Sequence, residues 1–293
     1  AYLEAMLHFE ATLAQAQAEQ GMIPLAAAQA ITETCVVSNL DIASLKLQIR
    51  LAGNPNIPLV KQLTEAVKKI DPEAAKFLHL GATSQDVIDT AMVLQLKAAV
   101  LLMQKDLKQL LAQLRHLAEE HRHSIMVGRS FMQHARPITF GFKIATWMDG
   151  LIRSAERLEY NLQHNLVLQF GGAVGTLAGF GEKSEAIAQS LAEKLDVSLP
   201  HISWHTQRDR LVELASMLGI LSGNLGKIAK DISLLMQTEI GEVFEPAGAG
   251  KGGSSTMPHK RNPVRCLAIL AAAQRTPALV ATLLHAIPQD PER

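Results

Sequence analysis

The stretch VLQLKAAVLLMQKDLKQLLAQLRHL, Val93 to Leu117, places apolar side chains at Val93, Leu96, Val100, Met103, Leu107, Leu110, Leu114 and Leu117. Steps of three and four residues return a side chain to one helix stripe, and their sustained alternation keeps that stripe against a partner helix. The same spacing recurs at Leu211, Leu214, Leu218, Leu221, Leu225, Ile228, Ile232 and Leu235. Each stripe predicts a rod of roughly 36 Å at 1.5 Å per residue. Rods of that length exceed ordinary globular helices. They predict an all-α fold, an elongated bundle of long helices that further copies of the chain help to complete. Gly219, Gly223 and Gly226 on the second rod each lower helix propensity by up to ~1 kcal/mol, a cost that close helix approach, expected between subunits, would offset.

Outward from the rods, shorter helices are expected at about residues 1–20, 25–38, 41–51, 59–70, 139–165, 183–195 and 263–286, with strand patterns nearly absent. Gly21 and Pro24 end the first helix, Gly53-Asn54-Pro55 ends the third, and Gly81 to Ser84 precedes the first rod. These breakers predict a small N-terminal helical domain, residues 1–84, and a central long-helix bundle domain, residues 85–293. The opening at Ala1, already inside a helical pattern, and the stop at Arg293 after the turn Ile287 to Pro291 are read as a missing start and an absent C-terminal domain.

Lysine plus arginine, 28, balances aspartate plus glutamate, 28, so no bulk positive field argues for nucleic acid or an anionic membrane. Any anion must be held by a local cluster. Cys35 and Cys266 are the sole cysteines, far apart and without a CxxC partner. Neither a disulfide framework nor a cysteine zinc site is implied, and a reducing cytoplasm fits. His121 and His123, two apart, face different sides of a helix, so no metal is expected. No uninterrupted apolar run reaches the ~18 residues that a membrane helix needs, and no membrane partner is expected.

The segment AGAGKGGSSTMPHKRNP, Ala247 to Pro263, concentrates glycines, hydroxyls and cations between two helices. Such a loop can close its amides and cations over an anion. It is not a phosphate loop, because Gly252 stands where Ser or Thr must follow Lys251. Nor is it a dinucleotide loop, because a helix rather than a strand precedes it.

GSSTMPHKRNP, Gly253 to Pro263, resembles the fumarase/aspartase superfamily signature GSSxMPxKxNP. HLGATSQD, His79 to Asp86, is similar to that family's HxGxTSxD region, and GRSFMQHARPITFG, Gly128 to Gly141, to its GRTHxQHAxPxTFG region. The resemblance implies a homotetramer of long helices in which each active site draws on three subunits. It also implies Ser254 as the proton-transferring base or acid, with His79 and Lys260 in the catalytic set. Lys260 and Asn262 would hold one substrate carboxylate, Thr83 and Ser84 another, and Gln133 and His134 would contribute to binding. Ser254 needs a lowered pKa, which Lys251, Lys260 and loop amides would supply. A hydroxyl pair at a helix mouth suits an anion; Thr83 or Ser84 can equally cap the rod, and the two roles are compatible.

Phe131 stands where fumarases have histidine, and Leu267 where they have glutamate, so a family His–Glu pair is replaced as a unit by apolar residues. The superfamily's muconate-lactonising cycloisomerases carry an aromatic residue at the first position. They also share the phrases GATSQDVIDTA, Gly81 to Ala91, WHTQRDR, Trp204 to Arg210, and SSTMPHKRNPV, Ser254 to Val264. That branch implies cofactor-free conversion of a small tricarboxylate, 3-carboxy-cis,cis-muconate, to 4-carboxymuconolactone in protocatechuate (β-ketoadipate) catabolism, with Arg208 or Arg210 neutralising charge. The alternatives are adenylosuccinate lyase or another fumarate-releasing lyase, a non-catalytic relative of the lens-crystallin kind, and a helical-bundle interaction protein.

Overall fold

A computed structural model describes residues 1–288 apart from 247, 249–251, 254, 255 and 258. The chain runs through α1 (Tyr2–Glu19), α2 (Leu25–Thr34), α3 (Ile42–Ala52), α4 (Asn56–Lys68), α5 (Ser84–Glu120), β1 (Ile125–Ser130), β2 (Gln133–Thr139), α6 (Phe140–His164), α7 (Ser184–Lys194), α8 (Asp209–Leu235) and α9 (Val264–His285). The all-α expectation holds, with α5 and α8 as the two rods. Packing divides the chain into two compact units, Ala1–Leu101 with Leu162–Arg210, and Leu102–Asn161 with Leu211–Pro288. This division differs from the boundary expected at Ser84. Val87 and Ala91 on α5, and Leu168 and Phe170 beyond α6, belong to the core begun by the N-terminal helices.

The first unit is built around Phe9 and Leu13 of α1, Ile31 of α2, and Leu59, Leu63 and Val67 of α4, all essentially inaccessible. Each such side chain contributes roughly 1.5–3 kcal/mol by leaving water. Phe170 joins the cluster edge-on to Phe9, ring centroids 6.4 Å apart, and tilted against Phe180 at 4.8 Å. Asp41 caps α3 by accepting the Ser44 N–H at 2.9 Å, and Gly53 ends that helix at φ 63°.

In the second unit, α6 buries Ile144, Trp147, Leu151 and Leu158, a stripe of three-, four- and seven-residue steps. Polar contacts fix its register on α8: Trp147 Nε1 donates to Asp231 at 2.8 Å, and Asn224 Nδ2 donates to the Gly150 carbonyl at 3.1 Å and to Ser154 Oγ at 3.0 Å. The glycines of α8 have a different cause from the one expected. A Cβ on Gly226 would stand 2.7 Å from Ala273 Cβ, and one on Gly219 would stand 3.1 Å from Val280 Cγ2, so both serve approach to α9 of the same chain. Gly223 faces open space. By length and composition α8 and α9 could each cross a bilayer; charged residues interrupt their apolar runs, which is why a search for unbroken runs passes over both.

The β1–β2 hairpin was not expected. Its strands pair antiparallel from Ile125 opposite Thr139 to Ser130 opposite Gln133, with an irregularity between Val127 and Arg129. Two-residue hairpin turns of type I′ need positive φ at both central positions and favour Asn-Gly or Asp-Gly. Here Phe131 and Met132 occupy them at φ 50° and 60°, so the usual turn residues are missing from the sequence.

Candidate active site

In the first unit the HLGATSQD segment is organised by Asp86, which is fully buried. Oδ1 accepts the Gly171 N–H at 3.0 Å, Gln169 Nε2 at 3.1 Å and His205 Nε2 at 3.2 Å, while Oδ2 accepts the N–H groups of Gly172 at 2.9 Å and Thr83 at 3.0 Å. A carboxylate in the first turn of α5 also complements the helix dipole. Gly172 can bring its amide in because it takes φ 68°, where a Cβ would stand 2.9 Å from the Gly81 carbonyl oxygen. Gln169 ties the cluster onward, accepting the Trp204 N–H at 2.8 Å, and its backbone carbonyl accepts the Thr90 hydroxyl at 2.8 Å.

Asp86 also bears on the start of α5. The Asp86 carboxylate reaches back to the Thr83 N–H, one half of a capping box. The Thr83 and Ser84 hydroxyls, half-buried at the mouth of α5, make no hydrogen bond to the described residues. They are available to a ligand.

His79 lies just before this turn at φ 59°. Its Nδ1 is 2.7 Å from Oε1 of Glu10, whose side chain is inaccessible. Burial opposes protonation of His79, but the charge and hydrogen bond of Glu10, with the charge of Asp86, outweigh it and raise the imidazole pKa above its ordinary value. Seven residues along α1, Gln17 Nε2 donates to the Leu80 carbonyl at 2.8 Å. One face of α1 thus holds residues 79 and 80 in place.

Arg208 and Arg210, expected near a substrate charge, are already engaged. Arg208 forms a bidentate pair with buried Asp89, Nη1 to Oδ2 at 2.5 Å and Nη2 to Oδ1 at 2.9 Å, and lies 5.1 Å from the Trp204 ring centroid. Arg210 Nη1 donates to the His164 carbonyl at 2.6 Å. Paired in this way, a guanidinium fastens α5 to the 204–208 segment and its charge is compensated.

In the second unit Gln133 and His134 open β2 and are exposed, beside the turn whose Phe131 is 96% and Met132 82% accessible. Leu267 is also exposed. In the signature loop the Asn262 N–H donates to the Gly252 carbonyl at 2.9 Å, joining the loop's two sides, and a Cβ on Gly252 would stand 2.7 Å from the Asn262 oxygen. Lys260 is exposed and donates its N–H to the Met257 carbonyl at 3.0 Å. Ser254 and Lys251 lie outside the described residues.

Just before the loop, Glu245 caps α9 by accepting the N–H groups of Cys266 at 2.9 Å and Arg265 at 3.3 Å. Burial opposes its ionisation, but these bonds and the Arg265 charge hold its carboxyl below the usual range. Burial and the neighbouring Glu245 push the Cys266 thiol up to about 12.

Residues 2–277 match the family model described as lyase. The chain belongs to this lyase family. Within it, the chain is 52% identical over 291 residues to the 3-carboxy-cis,cis-muconate cycloisomerase of Pseudomonas aeruginosa, which covers 99% of this chain and 63% of that protein. It is 50% identical over 291 residues to the enzyme of the same name from Pseudomonas putida, covering 99% and 69%. The crystal structure of 3-carboxy-cis,cis-muconate lactonizing enzyme from Pseudomonas putida superimposes with a TM-score of 0.93 at 49% identity, covering 99% of this chain and 64% of that one. The chain therefore spans about two thirds of the length of these relatives.

In this chain the first unit brings together His79, Thr83, Ser84 and Arg208 around α5. Reading the sequence missed the residues that support them: Glu10, Gln17, Asp89, Gln169 and His205. Asp86 stood inside a recognised motif, but nothing marked it as a five-donor acceptor. The signal available for Glu10 and Gln17 was a polar residue inside the otherwise apolar and alanine-rich face of α1.

Proposed function

We propose that the protein is a cytoplasmic, cofactor-independent 3-carboxy-cis,cis-muconate cycloisomerase that forms 4-carboxymuconolactone. The observation that carries this reading is the 52% identity over 291 residues with a cycloisomerase of that name. Phe131 and Leu267, at positions where fumarases carry polar partners, weigh in the same direction.

In the proposed reaction one substrate carboxylate oxygen adds across a conjugated double bond, closing the lactone, and a proton is delivered to the carbon that accepts negative charge. A second carboxylate delocalises that charge, so the main catalytic demand is a set of fixed donors around it. Thr83 and Ser84 fit the role of a preorganised hydroxyl pair, because the Asp86 bond to the Thr83 N–H fixes their turn while neither hydroxyl is engaged among the described residues. Lys260 and Asn262 would hold a further carboxylate, Gln133 and His134 would line the substrate, and Ser254 would transfer the proton with Lys251 and Lys260 lowering its pKa. Arg208, committed to Asp89, acts as a clamp on this set, and Arg210 holds the His164 carbonyl.

The working form is a homotetramer with active sites shared between copies. Leu110 and Leu117 of the first stripe, and Leu279, Leu283 and Leu284 of α9, are exposed in the single chain and supply apolar surface for it. Light scattering should return four times the chain mass. Ser254→Ala should abolish turnover of 3-carboxy-cis,cis-muconate, by at least a thousand-fold, with an unchanged circular dichroism melt. Near-normal turnover rejects the assignment, and turnover of adenylosuccinate instead would move the protein to the adenylosuccinate lyases.

A further inference from the structure

Glu10 is a buried carboxylate with a single hydrogen-bond partner among the described residues. Oε1 meets His79 Nδ1 at 2.7 Å, and Oε2 has no hydrogen-bond donor among the described residues. An ionised carboxylate removed from water is costly unless a counter-charge compensates it. The only ion-pair partner that Glu10 has among the described residues is the His79 imidazole. Because Nδ1 faces Glu10, the ring's other nitrogen, Nε2, is directed away from the carboxylate, and it makes no hydrogen bond to the described residues. His79 keeps 18% of its side chain accessible, so the pair is buried at the carboxylate end and open at the imidazole end. The Gln17 bond to the Leu80 carbonyl and the positive φ of His79 fix the backbone that carries the ring. Four and five residues further on are the hydroxyls of Thr83 and Ser84, unengaged among the described residues.

We propose that Glu10 is a positioning residue: it holds the His79 ring through Nδ1, keeps it an imidazolium, and thereby makes Nε2–H a fixed donor to a carboxylate of the substrate. This rests on the lactonising reading for the identity of the substrate, but not for the pair itself. The charged groups that bear on His79 are Glu10 from α1 and Asp86 from α5; desolvation, and after it the Glu10 charge, raise the thiol of half-buried Cys35. With Glu10 removed, Asp86 alone remains, and it is already saturated by five donors. The imidazolium should then lose its proton at lower pH. Since a histidine with a raised pKa contributes stability below its unfolded value and loses it as pH rises through the folded one, the pair should also lend stability that fades on the alkaline side.

The test is Glu10→Gln, which preserves shape, with Glu10→Asp as the charge-retaining control and circular dichroism melts to establish folding. Two quantities are read: the titration of carbon-13-labelled His79, identified with His79→Asn, and the pH profile of kcat/KM for 3-carboxy-cis,cis-muconate. Glu10→Gln should move the His79 titration down by at least one pH unit. It should also carry the falling alkaline limb of kcat/KM with it, giving at least a ten-fold loss at pH 8 and a much smaller one at pH 6. Glu10→Asp should restore part of both. An unmoved His79 titration overturns the proposal, as does a uniform loss across pH, which a purely structural role would give. If the wild type does not turn over this substrate the reaction assignment fails, and the pair is then judged by the titration alone.

Discussion

Asp86 and the Phe131–Met132 turn solve opposite problems. At Asp86 five N–H donors converge on one inaccessible carboxylate, so the backbone of residues 83, 171 and 172 is fixed by polar saturation. At the hairpin two non-glycine residues hold positive φ with their side chains almost wholly in solvent, so burial of those side chains does little to offset the backbone cost. The first region holds the backbone that carries Thr83 and Ser84 in one fixed arrangement. The second holds an aromatic side chain outward at the expense of stability, and such local cost is characteristic of segments that act on something beyond themselves.

Asp86→Ala breaks the comparison most severely. It strands several buried donors at once and should cost about 3–5 kcal/mol in urea unfolding; a loss under about 1 kcal/mol would mean that the network is not what fixes the turn. Replacing Phe131-Met132 by Asn-Gly should act in the other direction. It relieves two left-handed non-glycine residues and should raise stability by about 2 kcal/mol while lowering kcat/KM. A gain in stability with full activity would show that the exposed tip does no chemical work. The smallest effect belongs to Glu245→Ala at the start of α9, about 1 kcal/mol for a lost cap. Because the folded carboxyl lies below its ordinary value of 4.5, that contribution is present above this pH and disappears as pH falls through the lowered value. Melts of variant and wild type should therefore converge under acid.

The helices were readable because three- and four-residue apolar spacing reports directly on a buried stripe. The helix expected at 1–20 is Tyr2–Glu19, and that expected at 183–195 is Ser184–Lys194. The first rod begins nine residues before its apolar stripe, since its opening turns bury Asp86, Asp89 and Thr90 instead of leucines. Periodicity cannot see such a start. The hairpin was hidden because its turn uses Phe131 and Met132 in place of asparagine and glycine. His79, Thr83 and Ser84 were visible through a short contiguous motif. Glu10, Gln169 and His205 were not, because their partners lie 69, 83 and 119 residues away in the chain, and only folding reveals the pairing.

The most direct test of the central claim is the near-ultraviolet absorbance of 3-carboxy-cis,cis-muconate mixed with the protein, its oligomeric state checked in the same buffer. Lactonisation breaks the conjugated diene, so the expected result is rapid bleaching with 4-carboxymuconolactone as the product. Persistent absorbance in the presence of a correctly assembled tetramer would contradict it.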